Sequence, residues 1–132
     1  MDSLEISAAG MRAQRARMDV IAANLANVDT TSARAEMRDG ELRHLPYRRR
    51  IAVLLDGAHG LPAVKVVEDR SEFRAEHQPG HPHAAGGTVL FPNVDPMVET
   101  MDMMAASRAY EANVTAAEVA KSMQQSALRI LG

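Results

Sequence analysis

From Met97 to Leu131 the chain contains neither glycine nor proline, and Asn93-Val94-Asp95-Pro96 stands before that run as a start signal. Asp95 is a suitable helix cap. Pro96 at the first helical position loses nothing, because the N–H there has no intrahelical partner in any case. Ala, Met, Glu, Gln, Lys and Arg dominate the run, all good helix formers. One uninterrupted helix here is about 50 Å long at 1.5 Å per residue. Arg108, Glu111, Thr115, Glu118, Ser122, Gln125 and Arg129 step by three and four and make one polar face. Ala109, Ala116, Met123 and Ile130 step by seven, flanked by Ala106, Asn113, Ala120 and Ala127. That is an apolar stripe of small residues with a heptad repeat, suited to close helix–helix contact. Upstream, Met97, Val98, Met101, Met103, Met104, Ala105 and Ala106 point in many directions. A helix apolar nearly all round is buried all round, so this first third requires more neighbours than one short chain supplies.

A second helix is expected over residues 3–28. Asp2 followed by Glu5 resembles a capping box. Leu4, Met11, Met18 and Leu25 recur every seven residues, with Ile21, Ala22 and Val28 widening the seam. Gly10 marks either a close approach of two backbones or a weak point, since glycine costs about 1 kcal/mol against alanine in a helix interior. Asn27, Asp29, Thr30 and Thr31 end the helix with turn chemistry. Residues 32–46 are polar and charged, interrupted by Gly40 and Pro46, and read as a loop with at most a helical turn. Arg48–Leu55 and Ala63–Glu68 are rich enough in Val, Ile and Leu to be strands, with Asp56-Gly57 and Gly60 between them. Phe73–Glu76 and Thr88–Phe91 are weaker strand candidates around the loop 78–87.

The expected fold is mainly α with a small β insert: two long terminal helices pair as an antiparallel, coiled-coil-like hairpin around a short β-hairpin middle section. Its parts are an N-terminal heptad helix (1–29), a polar linker (30–46), a β insert with a Pro/Gly/His loop (47–92) and a long C-terminal helix (93–132). Residues 1–29 and 93–132 form one assembly core. A two-stranded hairpin is marginal alone in water, so the middle needs the helices or other subunits to hold it. The helices can hide one seam between them but not the Met-rich segment, and a large uncovered apolar patch marks an interaction surface. Self-assembly or co-assembly through the terminal helices is therefore expected, with those helices poorly ordered in a free monomer.

Composition narrows the function. A net charge of −2 lacks the clustered basic excess of a nucleic-acid surface. The absence of cysteine removes disulfides and thiolate metal sites. No run is long and apolar enough to span a bilayer, and Met1-Asp2-Ser3-Leu4-Glu5 lacks the pattern of a cleaved secretory signal. That fits a cytoplasmic protein or one exported by a route needing no such signal.

Two motifs resemble a known family. Asn24-Leu25-Ala26-Asn27-Val28-Asp29-Thr30-Thr31 resembles the ANLANxxTT stretch near the N-terminus of bacterial flagellar rod and hook proteins. Ser107-Arg108-Ala109-Tyr110-Glu111-Ala112-Asn113 resembles their C-terminal S-R-x-Y-E-A-N stretch. Within that family the middle is similar to that of the short proximal rod members, through Tyr47-Arg48-Arg49, Glu68-Asp69, Pro79-Gly80-His81-Pro82 and Phe91-Pro92-Asn93-Val94. It departs over Ser32–Leu45, at His83, where Asp is usual, and at Thr88, where an aromatic is usual.

The resemblance implies subunits that leave the cell unfolded through the flagellar type III export apparatus. They then stack as a helical tube in the basal body, within the cell envelope, with paired terminal helices inside and the β insert outside. The implied partners are other rod proteins, proximal and distal, and the basal-body ring and export-gate components. The role is structural, transmitting torque for motility, with no cofactor, nucleic acid or small-molecule substrate. The residues expected at subunit interfaces are Leu4, Met11, Met18, Ile21, Asn24, Leu25, Asn27, Val28, Met97, Met101, Met104, Ala109, Tyr110, Asn113, Ala116, Ala120, Met123, Ala127 and Ile130.

Other chemistry is weakly encoded. His77, His81 and His83, with His59 upstream, have spacing that suits zinc, but no carboxylate or thiol completes a ligand set, and a Pro/Gly loop with exposed histidines explains them better. No nucleophile elbow or phosphate loop is present. Arg48, Arg49 and Arg50 either grip an acidic partner or form the solvated edge of a strand. Asn24, Asn27 and Asn113 either fix helix register by hydrogen bonds or are tolerated half-exposed. The alternative functions are a rod member at a different axial position, a soluble helical adaptor or metal-responsive regulator using the histidine loop, and a hydrolase.

Overall fold

A computed structural model describes residues 2–132. Helix α1 (Ser3–Ala26) opens the chain and helix α2 (Pro96–Leu131) closes it. Between them lie three two-stranded antiparallel ribbons: β1 (Arg34–Arg38) with β2 (Glu41–Leu45), β3 (Arg50–Asp56) with β4 (Pro62–Glu68), and β5 (Arg74–His77) with β6 (Thr88–Phe91). A single 3-10 turn, Ala58–Gly60, joins β3 to β4. The ribbons are not hydrogen-bonded into one sheet.

Both helix starts form as their sequences require. The Asp2 carboxylate accepts from the Leu4 N–H at 3.3 Å, and the Asp95 carboxylate from the Met97 N–H at 2.9 Å, with Pro96 in the first turn. α1 ends two residues earlier than expected, where the Asn27 N–H bonds back to the carbonyls of Ala23 and Asn24.

The helices run antiparallel, as four contacts along their length define. Asn24 bonds Glu99 at 3.1 Å, Arg17 meets Asp102 at 3.9 Å, Gly10 faces Asn113, and Gln124 donates to Asp2 at 3.1 Å. Gly10 is a close approach and not a weak point: a Cβ added there would lie 2.7 Å from Asn113 Oδ1. The approach is of a side chain to a backbone rather than of two backbones.

The innermost seam differs from the expected one. On α1 the buried residues are Ser7, Ala9, Gly10, Ala13, Ile21 and Asn24, while Leu4, Met11, Met18 and Leu25 are only half-buried. On α2 the row that turns inward is Glu99, Ala106, Asn113 and Ala120, one step beside the row Ala109, Ala116, Met123, Ile130. Small residues let the helices approach closely, so the larger Leu and Met side chains are displaced to the flanks. Beyond Gln124, which lies opposite Asp2, α1 has no more residues to offer, and residues 121–131 are exposed.

Residues 32–46 are a hairpin and not the expected loop. Asp39 and Gly40 both take positive φ, 54° and 79°, the two-residue turn whose twist matches the strands it joins. Glu36 lies opposite Arg43 and Arg38 opposite Glu41, so the charges that suggested a loop fall in cross-strand positions of opposite sign. The other two ribbons fall where the apolar runs placed strands, with Ile51 opposite Val67 and Ala75 opposite Leu90. The β3–β4 ribbon lies against α1. The buried apolar residues are few and mostly small, and include Ala9, Ala13, Ile21, Tyr47, Val89, Val94, Ala106 and Ala120.

Candidate functional site: a polar junction and uncovered apolar faces

Where α1 ends, α2 begins and β3 starts, a polar cluster ties the three together. Its centre is Asn24, fully buried. Its Nδ2 donates to the Arg50 carbonyl at 2.8 Å and to Glu99 Oε2 at 3.1 Å. Its Oδ1 accepts from the Tyr47 hydroxyl at 3.0 Å and from the Arg50 N–H at 3.0 Å. All four capacities of the amide are thus used, the condition under which a buried amide specifies one arrangement rather than costing stability.

Arg49 forms the second half. Its Nε pairs with Glu99 Oε1, one terminal nitrogen lies 3.2 Å from Asp69 Oδ2, and the other lies 3.7 Å from Asp102 Oδ2. Its own N–H donates to Asn93 Oδ1 at 2.8 Å, and the Asn93 amide donates to the Asp69 carbonyl at 3.1 Å and to the Ser71 hydroxyl at 2.9 Å. Arg48 donates to the Asp69 carbonyl at 2.8 Å and lies over the Phe73 ring, 4.1 Å from its centroid. The solvated-edge reading therefore fails for Arg48 and Arg49, whose partners are within the chain; Arg50 alone is exposed.

The electrostatics match the bonding. Burial works to lower the Arg49 pKa, but hydrogen bonds and attraction from Glu99 and Asp69 outweigh it and raise the pKa above its ordinary value. The Ser71 backbone N–H is the largest influence on Asp69, which the Ser71 hydroxyl and Arg49 also help hold below the ordinary carboxylate range. Burial pushes the Tyr47 hydroxyl up. Most of these residues belong to the family-like motifs: Asn24, Tyr47-Arg48-Arg49, Asp69 and Asn93. Glu99 is the functional residue that the sequence motifs miss, although it and Asp102 are carboxylates set among the methionines of the first third of α2.

The second feature is what the chain leaves uncovered. Met97, Met101 and Met104 share one row of α2 and are 76%, 68% and 53% exposed. Met123 is 67% and Ile130 85% exposed, and Ala116 and Ala127 are exposed with them. Among the other expected interface residues, Ile21, Asn24 and Ala120 are buried within the chain. Leu4, Met11, Met18, Leu25, Asn27, Val28, Ala109, Tyr110 and Asn113 are half-buried. Of the three asparagines, only Asn24 bonds between elements; the Asn27 and Asn113 amides donate to carbonyls four residues back, Ala23 and Ala109.

Among the described residues no group of three or more His, Cys, Asp or Glu is placed to hold a metal ion. His59 lies in the β3–β4 turn and His77 beside Gly87, while His81 and His83 lie 5.2 Å apart and are joined by His44, which the sequence spacing does not bring in. No helix is long and apolar enough to cross a membrane among the described residues.

Residues 4–34 match the model of the flagella basal body rod protein family, and residues 85–130 that of the C-terminal region of flagellar basal body rod FlgEFG proteins. The class is thus that of axial rod subunits. The chain is 40% identical to the flagellar basal-body rod protein FlgC of Bacillus subtilis, over 97% of this chain and 95% of that one. It is 35% identical to FlgC of Borreliella burgdorferi (98% and 95%) and 32% identical to FlgC of Salmonella typhimurium (98% and 96%). The chain belongs to the FlgC family of flagellar basal-body rod proteins. These relatives are structural rod proteins, not enzymes.

Proposed function

We propose that the chain is a subunit of the proximal rod that assembles with other rod proteins through α1 and α2 and transmits torque along the shaft. The observation that carries the assembly mode is the row Met97, Met101 and Met104. It is apolar, exposed, and set next to a junction whose polar groups are already satisfied. Apolar surface of this extent is covered in working proteins by a partner. The exposed Met123, Ile130 and Leu131 continue the same demand toward the end of α2. The paired helices line the inside of the tube, the three ribbons lie outward, and the neighbours include the ring and export-gate components. Delivery is by the flagellar type III export apparatus into the periplasmic space, without a cleaved signal.

Deletion of the gene, with microscopy of basal bodies as the readout, tests the role: rods are expected to be missing, and a motile mutant with a complete rod would overturn it. For the assembly surface, Met104→Glu is expected to stop rod assembly while leaving export intact, and normal swimming by that variant would contradict it. In the free chain the helix ends furthest from the junction, where residues 121–131 are exposed, are the poorly ordered part. Limited proteolysis should trim them first. A free chain that kept both ends through digestion would count against assembly-dependent order.

A further inference from the structure

Three imidazoles from two separate segments meet where the β1–β2 hairpin joins the body. His44 of β2 lies with its ring centroid 4.3 Å from that of His83, and His83 lies 5.2 Å from His81; both latter residues belong to the loop between β5 and β6. Each ring's Nδ1 is engaged. His83 Nδ1 lies 2.7 Å from the Thr31 hydroxyl, and His44 Nδ1 lies 2.8 Å from the Ser32 hydroxyl. His81 Nδ1 accepts from the His83 backbone N–H at 3.0 Å. The strands of the hairpin are otherwise largely exposed, so this contact is a main attachment between hairpin and loop.

We propose that His83, seated against His44 and His81, works as a proton-operated clasp, which holds the β1–β2 hairpin against the β5–β6 loop while its ring is neutral and releases it when that ring is protonated.

The geometry favours neutral rings for two reasons. His81 Nδ1 can accept the His83 N–H only without a proton of its own, and an imidazolium carries a proton on both nitrogens. Two charged rings at 4.3 Å also repel each other. Among the described residues none of the three rings forms an ion pair that would compensate a positive charge. The charged groups around His44 are Glu36 and Arg38 of β1 and its neighbour Arg43, two cations to one anion. Among the described residues the titratable groups shown against His83 are His44 of β2 and His81 of its own loop, and the segment after α1 contributes the uncharged Thr31 hydroxyl. Burial, then the fields of His44 and His81, hold the His83 pKa below its ordinary 6.5. A histidine depressed in the closed form takes up a proton on opening. The closed form therefore holds above pH 6.5 and weakens as pH falls below it.

Hydrogen exchange of the purified full chain between about pH 8 and pH 5, corrected for intrinsic rates, tests the clasp. The amides of residues 33–45 are expected to lose protection below about pH 6.5, by up to about tenfold per pH unit for each proton taken up, while those of β3 and β4 hold. In His83→Gln, which keeps a partner for Thr31 but cannot titrate, that loss should shrink; His44→Phe, which keeps a ring against His83, should shrink it as well. Unchanged wild-type protection across the range would overturn the proposal, as would a hairpin unprotected already at the alkaline end. So would a loss in both variants equal to that of the wild type.

Discussion

The two ends of α2 present opposite solutions to the same problem. At its start, Glu99 is wholly enclosed and every polar partner it needs comes from the same chain: Asn24 from α1 and Arg49 from the β section. At its finish, residues 121–131 are exposed on every face, and the apolar Leu128, Ile130 and Leu131 touch water. The first region is complete in one molecule; the second is left uncovered by it, and in the proposed assembly neighbouring subunits cover it. Placing the expensive polar contacts inside the subunit and leaving apolar faces for its neighbours has a physical logic. Apolar contact is non-directional and tolerates small changes of angle between neighbours. A buried ion pair does not, because it is stable only when its geometry and remaining hydrogen bonds are right.

Substitutions can break that contrast. Glu99→Ala removes the buried partner of Arg49 and one acceptor of Asn24, and is expected to lower the stability of the purified chain by about 3 kcal/mol. Urea unfolding monitored by circular dichroism reads it, and an unchanged midpoint would mean that the junction is not where the chain is held. Gly10→Ala is expected to cost about 1 kcal/mol, since the new Cβ meets the end of the Asn113 side chain, and Asn113→Ala in the same chain should recover most of that. Met104→Glu, expected to stop assembly, should move the stability of the free chain by less than about 0.5 kcal/mol, because its side chain is exposed. The smallest expected effect sharpens the electrostatic half. Asp69 has a folded pKa below its ordinary 3.8, so its contribution is fully present above pH 3.8 and lost as pH falls toward the folded value. Asp69→Asn should flatten that acid limb of a stability–pH curve, and an identical limb in both proteins would exclude Asp69 as its source.

Much of the fold is readable from residues alone, and the failures have distinct causes. Helix α2 is announced by Asp95-Pro96 and by an unbroken run of helix formers, and both signals act within a few residues of where they are read. The β1–β2 hairpin is hidden when charge is weighed above turn chemistry. Asp39-Gly40 is a strong local signal for a two-residue turn, and Glu36 and Arg43 read as loop residues only until they are set opposite each other. On α1 the inner seam is misplaced because periodicity finds the large apolar Leu4, Met11, Met18 and Leu25, whereas the buried positions include Ser7, Ala9 and Ala13, which carry little hydrophobic signal. The junction cannot be assembled from sequence at all. Asn24, Arg49, Asp69 and the segment that carries Asn93 and Glu99 are far apart along the chain, and nothing local says that they meet.

The seat of Asn113 on Gly10 also bears on how the subunit resists load. Gly10 is the only glycine in α1. Sliding one helix along the other by a turn, about 5.4 Å, brings Asn113 against Ile6, Ser7, Ala13 or Gln14, and each of those carries a Cβ where Gly10 has none. The notch works as a mechanical detent. It makes this seating preferred over its neighbours, so shear imposed along the helices works against that preference instead of passing through a succession of equivalent resting places.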